Sequence, residues 1–97
     1  GILGMGRIGQ AVAKRACGFG LKINYHNRRR LHTDTETLLK ARFWGNLDAM
    51  LRNIDILTIH VPHTPSTFHL MNERRLKLLH KRAYLINTRL KLPILST

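Results

Sequence analysis

Acidic residues are the scarcest resource in this chain: five Asp and Glu stand against 17 Lys and Arg, leaving a formal net charge of +12. Cysteine is rarer still. Cys17 alone cannot close an internal disulfide, so a reducing, cytoplasmic setting is the default expectation. No apolar run approaches the roughly 18–20 residues that a membrane-crossing helix needs, and none is expected. The chain opens on Gly1-Ile2-Leu3, without an initiator Met or a charged-then-apolar leader. No repeat, low-complexity tract or Gly/Ser/Pro linker interrupts the first ninety or so of its 97 residues, which bounds it at one small domain. No metal site is expected.

The positive field has three readings. Polyanions are drawn to such a surface, and nucleic acid is the first partner to weigh. Against it, the bases are spread along the chain, and the six aromatics do not interleave with them as a stacking platform requires. The remaining readings are a solvated surface whose acidic counterpart lies elsewhere, or a ligand rich in phosphate.

What is present is alternation. About 43% of the residues are apolar, ordinary for a globular protein, and short apolar runs alternate with amphipathic ones. Ile2-Leu3 ends a strand. Ile8, Ala11, Val12, Ala16 and Phe19 recur at helical spacing and predict a helix over Arg7–Gly18, stopped by Gly18 and Gly20. Cys17 falls among its apolar positions and reads as a small core residue. Leu21–His26 predicts a second strand, Thr35–Ala41 a short helix with Leu38 and Leu39 inward, and Arg42–Trp44 a third strand. Asn46 or Gly45 caps a helix carrying Leu47, Met50 and Leu51, with Asp48 in its first turn. Asp55–His60 is a nearly continuous apolar strand, as expected of one covered on both faces. Asn72 caps a helix over Glu73–Leu79, and Ala83–Asn87 is the fifth strand. Strict strand–helix alternation predicts an α/β fold: a Rossmann-like parallel sheet with helices on both faces.

Where the first strand meets the first helix stands Gly4-Met5-Gly6-Arg7-Ile8-Gly9. Three glycines in six residues are weak on their own, but this set follows a strand, opens a helix and precedes a second strand at the right distance. Gly4 permits the tight turn, Gly6 lets a pyrophosphate approach the backbone, and Gly9 lets the helix close on the sheet. The free N–H groups at Arg7 and Ile8 and the helix dipole then favour the anion. In an NAD-binding unit an acidic residue ends the second strand and bonds the ribose 2′-hydroxyl. Here that place is held by Asn27, eighteen residues after Gly9, and Arg28, Arg29 and Arg30 follow it. Asn does not repel a 2′-phosphate, and Arg28 and Arg29 could hold one as charged forks. The expected cofactor is therefore NADP(H), with NAD(H) possible. The alternative is a solvated arginine loop.

Those residues carry a resemblance. The run from Gly4 to Ala13, followed by Phe19-Gly20-Leu21-Lys22, is similar to the D-isomer-specific 2-hydroxyacid dehydrogenases. So are His60 to Asn72, Arg75-Leu76-Lys77-Leu78-Leu79, and Ala83 to Thr88. Tyr25 to Leu31 looks most like the glyoxylate/hydroxypyruvate reductase branch. The likeness covers residues 1–89, read as a partial NAD(P)-binding domain. It implies hydride transfer between NAD(P)H and the carbonyl of a small 2-oxo acid, in a parent that is a homodimer. It also implies that Val61 and Pro62 flank the adenosine part and that Thr67 and Thr88 belong to the cofactor site. In that family an Arg after the fifth strand, in Asn-Thr-Ala-Arg-Gly or similar, holds the substrate carboxylate. Here the chain reads Asn87-Thr88-Arg89-Leu90, one residue short and without the glycine, so Arg89 is the single candidate. The family's catalytic His and orienting Glu lie further downstream. His60 and His63 stand at a strand's carboxyl end, where such folds bind ligands, but no carboxylate is placed to orient either ring.

The pattern is expected to be truncated at both ends. Only Gly1–Leu3 of a central strand is present, whereas such strands usually run about five or six residues. Residues 90–97 form a divergent tail of no expected role, and a substrate domain is absent. Two functions follow for the chain as it stands: the cofactor domain of a glyoxylate-type reductase, inactive without the downstream His and Glu, or an NAD(P)-binding module without chemistry. A basic nucleic-acid-binding domain ranks third.

Overall fold

Short β-branched and leucine-rich runs separated by amphipathic ones assemble into one parallel sheet. The computed structural model describes residues 1–61 and 70–87. Along the chain these form β1 (Ile2–Leu3), α1 (Arg7–Gly18), β2 (Ile23–His26), α2 (Thr33–Leu39), β3 (Ala41–Phe43), α3 (Leu47–Arg52), β4 (Ile56–Ile59), α4 (Glu73–Leu76) and β5 (Tyr84–Asn87). The strand order is β3-β2-β1-β4-β5, with every neighbouring pair parallel. The chain steps outward from β1 to β3, crosses back, and steps outward the other way from β4. That reversal beside β1 is the sheet's switch point, and open α/β sheets take their ligands in the crevice outside the carboxyl ends of such strands.

Because side chains alternate across a strand, β1 divides its two residues between two cores. Ile2 joins Met5, Ala13, Ile23, Tyr25 and Leu39. Leu3 joins Leu47, Met50, Leu51, Ile54, Leu57, Ile59, Val61 and Met71, with Leu76 and Leu79 packed at its margin. Helices α1 and α2 thus cover one face, and α3 and α4 the other. The expected layering is present.

Several local expectations needed correction. Helix α1 has its predicted bounds, yet its buried residues are Gly9 and Ala13, while Phe19 is 86% and Ile8 46% exposed and Ala11 also faces solvent. The seam against the sheet is built from small residues, because Gly9 must lie against the backbone of Gly4 (below), and this rotates the larger side chains off the contact. Cys17 packs at the margin of the same core. Helix α2 begins two residues earlier than expected, where the His32 ring accepts a hydrogen bond from the Asp34 N–H at 3.1 Å. It ends at Lys40, which takes a left-handed backbone (φ 53°). The shift turns Leu38 outward, at 82% exposure, and brings Glu36 in beside Leu39. Strand β3 begins and ends one residue earlier than predicted for the same reason.

Two caps stand as predicted. Asn46 accepts from the Ala49 N–H at 3.1 Å, and Asn72 from the Arg75 N–H at 3.0 Å. Helix α4 nevertheless stops at Leu76, before the predicted Leu79. Asp48 ties α4 to the first turn of α3 through Arg74 (2.9 Å) and Arg75 (3.0 Å). Those guanidiniums hold its carboxyl down to about 2.

Candidate functional site

The turn between β1 and α1 is defined by what its glycines exclude. Gly4 has φ +95°, and a Cβ there would lie 2.8 Å from the carbonyl carbon of His60 and 2.9 Å from Val61 Cγ1. A Cβ on Gly9 would lie 2.2 Å from the carbonyl oxygen of Gly4. Packing alone demands both glycines. Gly6 differs: its backbone is extended (φ −76°, ψ −158°), and a Cβ would meet nothing within 4 Å. The space beside Gly6 is open.

Gly6 is also the N-cap of α1, and no side chain caps it. The first intrahelical bond is donated by the Gln10 N–H to Gly6 (2.9 Å), so the N–H groups of the first turn, Arg7 and Ile8 among them, lack helical acceptors. That turn contains no carboxylate to compete with an incoming anion. Two amide side chains hold the turn. Gln10 Nε2 donates to the Met5 carbonyl at 3.0 Å, and the Met5 N–H donates to Asn27 Oδ1 at 3.0 Å. The result is a rigid concave donor set at a helix N-terminus, which fits a pyrophosphate.

Asn27 therefore joins the turn to the exit of β2. Its Nδ2 donates to the Arg29 carbonyl at 2.9 Å, which curls the arginine loop back toward the turn. Arg28 and Arg29 are exposed and have no carboxylate partner among the described residues. Arg30 is engaged elsewhere: its guanidinium forks onto Glu36, with Nε 3.0 Å from Oε2 and an η nitrogen 3.0 Å from Oε1, and lies 5.4 Å from the Phe43 ring centroid. The fully buried Tyr25 donates its hydroxyl to Glu36 and accepts the Leu31 N–H at 2.9 Å. Burial, reinforced by Glu36, pushes the Tyr25 phenol up to about 12. Hydrogen bonds from Arg30 and then Tyr25 hold the Glu36 carboxyl below the ordinary carboxylate range.

Across the crevice, the His60 N–H donates to the Leu3 carbonyl at 2.7 Å, and its ring Nε2 pairs with Thr58 Oγ1 at 2.7 Å. Val61 is buried against the glycine turn in the core below the crevice. Pro62, His63, Thr67, Thr88, Arg89 and the tail lie outside the described residues. The described parts of the expected site, Gly4, Gly6, Arg7, Ile8, Gly9, Asn27, Arg28 and Arg29, stand on the two strand exits around one turn. Gln10, Tyr25 and Glu36 escaped the sequence reading. A signal existed for one of them: Glu36 is one of only five acids, sited on a helix six residues after an arginine run. Among the described residues no helix is long and apolar enough to cross a membrane, and no cluster of three or more His, Cys, Asp or Glu could hold a metal ion.

Comparison with known proteins agrees with this architecture. Residues 1–89 match the family model of the D-isomer specific 2-hydroxyacid dehydrogenase NAD binding domain. A glyoxylate reductase of Thermofilum pendens is 48% identical over 88 residues, covering 91% of this chain and 26% of that protein. A glyoxylate reductase of Pyrococcus horikoshii is 51% identical over 87 residues, covering 90% and 25%. A solved formate dehydrogenase of Granulicella superposes with a TM-score of 0.85 at 33% identity, covering 91% of this chain and 23% of that one. The chain thus spans about a quarter of the length of the relatives it matches. It belongs to the D-isomer specific 2-hydroxyacid dehydrogenase family, and what it carries is that family's NAD-binding domain.

Proposed function

We propose that this domain holds NADP(H) in preference to NAD(H), and that it serves an oxidoreductase moving a hydride from the nicotinamide to a small 2-oxo acid of the glyoxylate or hydroxypyruvate type. The open space at Gly6, above uncapped N–H groups, carries the binding half of this reading. The pyrophosphate would lie there, with the Arg7 and Ile8 amides as donors. When bound, the nicotinamide supplies the hydride. The chain's own residues bind and orient: Gly4 and Gly9 fix the turn, and the resemblance assigns Val61, Pro62, Thr67 and Thr88 to the cofactor and Arg89 to the substrate carboxylate.

The preference for NADP(H) rests on charge. Asn27 brings no negative charge to the ribose end and already spends its Oδ1 on Met5. Arg28 and Arg29 remain available to a 2′-phosphate as bidentate cations. The domain boundary at residue 89, a homodimeric parent and a cytoplasmic setting belong to the same proposal, supported by the resemblance and by the lone cysteine. Titration of the chain with NADPH and NADH, followed by nicotinamide fluorescence, tests it. NADPH is expected to bind more tightly. Tighter NADH binding would overturn the preference, and binding of neither would overturn the site.

A further inference from the structure

Three arginines follow Asn27, yet the structure treats the third differently from the other two. Arg30 is held in a bidentate pair by Glu36, while Arg28 and Arg29 face solvent. Glu36 is a buried carboxylate, 7% exposed, in a chain with few acids. Burying one is costly unless it is fully hydrogen-bonded. Its partners are the Arg30 fork and the Tyr25 hydroxyl, and Tyr25 in turn accepts the Leu31 N–H. The loop after β2 is therefore pinned at both ends, by Asn27 against Met5 and Arg29 at one and by Arg30 and Leu31 against the buried pair at the other. Between those pins only Arg28 and Arg29 project.

We propose that Tyr25, Glu36 and Arg30 form a positioning network for cofactor discrimination: it withdraws Arg30 from the ligand and fixes the loop so that Arg28 and Arg29 meet the 2′-phosphate. This inference rests on the NADP(H) reading above. It makes Arg30 a positioning residue despite its place in the arginine run, and makes a fully buried phenol matter for selectivity. A loop free to wander would lose phosphate affinity to ordering entropy, whereas adenosine and pyrophosphate contacts made elsewhere would be spared.

The test compares Kd values for NADPH and NADH in the parent chain, Tyr25→Phe and Arg30→Ala, with a thermal melt of each to confirm folding. Tyr25→Phe leaves the Leu31 N–H without its acceptor and Glu36 Oε2 with its Arg30 contact alone. Arg30→Ala truncates a side chain that is 63% exposed but leaves the Glu36 carboxylate without its cation. The double variant Arg30→Ala/Glu36→Gln carries no unpaired charge, keeps the experiment informative if either single variant does not fold, and is expected to lose NADPH affinity in the same way. In both single variants the NADPH Kd is expected to rise roughly tenfold, the scale of one charge-assisted hydrogen bond, with the NADH Kd within about twofold of the parent. Arg30→Lys should not restore selectivity, because an ammonium cannot make the fork. A parent that prefers NADPH, with a folded Arg30→Ala or double variant keeping the parental NADPH-to-NADH ratio, overturns the network. A parent with no preference for NADPH overturns the cofactor reading beneath it, and the network with it.

Discussion

Substituting Ala at Gly6 and at Gly9 should have opposite consequences. At Gly9 the added Cβ would lie 2.2 Å from the Gly4 carbonyl oxygen. Both ends of that contact are backbone, so neither can swing away, and relief requires moving α1 off the sheet by about an ångström. Overpacking of this kind costs roughly 1–3 kcal/mol. In a domain of this size it should lower Tm by roughly 5–20 °C. At Gly6 the added Cβ meets nothing, and the backbone angles suit any residue. A slightly poorer N-cap is offset by a less flexible unfolded chain, so Tm should stay within about 5 °C of the parent. Binding should reverse that order of severity. A methyl at Gly6 occupies the approach to the first-turn amides, and losing one charged hydrogen bond of about 1.5–3 kcal/mol weakens Kd roughly 10- to 150-fold. Differential scanning fluorimetry and an NADPH titration on the two variants read both quantities. A Gly6→Ala variant binding as tightly as the parent, or a Gly9→Ala variant melting with it, would refute the reasoning.

Other expectations follow from single contacts. Asn27→Asp keeps the acceptor for the Met5 N–H but sets an oxygen against the Arg29 carbonyl and adds charge at the ribose end. The NADPH Kd should rise at least roughly tenfold while NADH binding is maintained, and persistent NADPH preference would contradict it. Glu36 titrates lower in the folded chain than its ordinary 4.5, so its contribution is complete above about pH 4.5 and is lost as pH falls through the depressed value. Tyr25 titrates higher when folded, so its contribution is complete below pH 10 and lost as pH rises through about 12. Tm measured against pH should therefore sag at both extremes, with Glu36→Gln flattening the acid limb and Tyr25→Phe the alkaline one; unchanged limbs would discount the pair. Lys40→Gly removes a left-handed lysine at a helix end and should stabilise by roughly 1 kcal/mol in a melt. A lower Tm would mean that the lysine side chain does more than tolerate its backbone.

The sheet was readable because its signals are local. Ile56 to Ile59 is apolar but for Thr58, Asn46 and Asn72 announce helix starts, and the glycines punctuate α1. The misreadings arose where a long-range contact outweighed local periodicity. Phe19 and Ile8 fit a helical stripe, but the stripe that packs is the one containing Gly9. Leu38 looked inward until the His32 cap and the Lys40 turn set the phase of α2. At the site, the glycine roles followed from their spacing together with the strand before them and the helix after. The Tyr25–Glu36–Arg30 contacts did not, since a strand residue and a helix residue eleven positions apart meet only after β2 and α2 pack.

The sheet order has a consequence for the chain's durability. Strand β1 is two residues long, yet among the described residues it is the strand that pairs with both the β2–β3 half and the β4–β5 half. The glycine turn at its end touches both halves, through Asn27 on one side and His60 on the other. A molecule gripping that turn would act as a clamp across the seam, adding about 2.7 kcal/mol of resistance to opening at a hundred times its Kd. Proteolysis at the crossover between the halves should accordingly slow in the presence of cofactor. The shortest strand is where occupancy and survival are coupled.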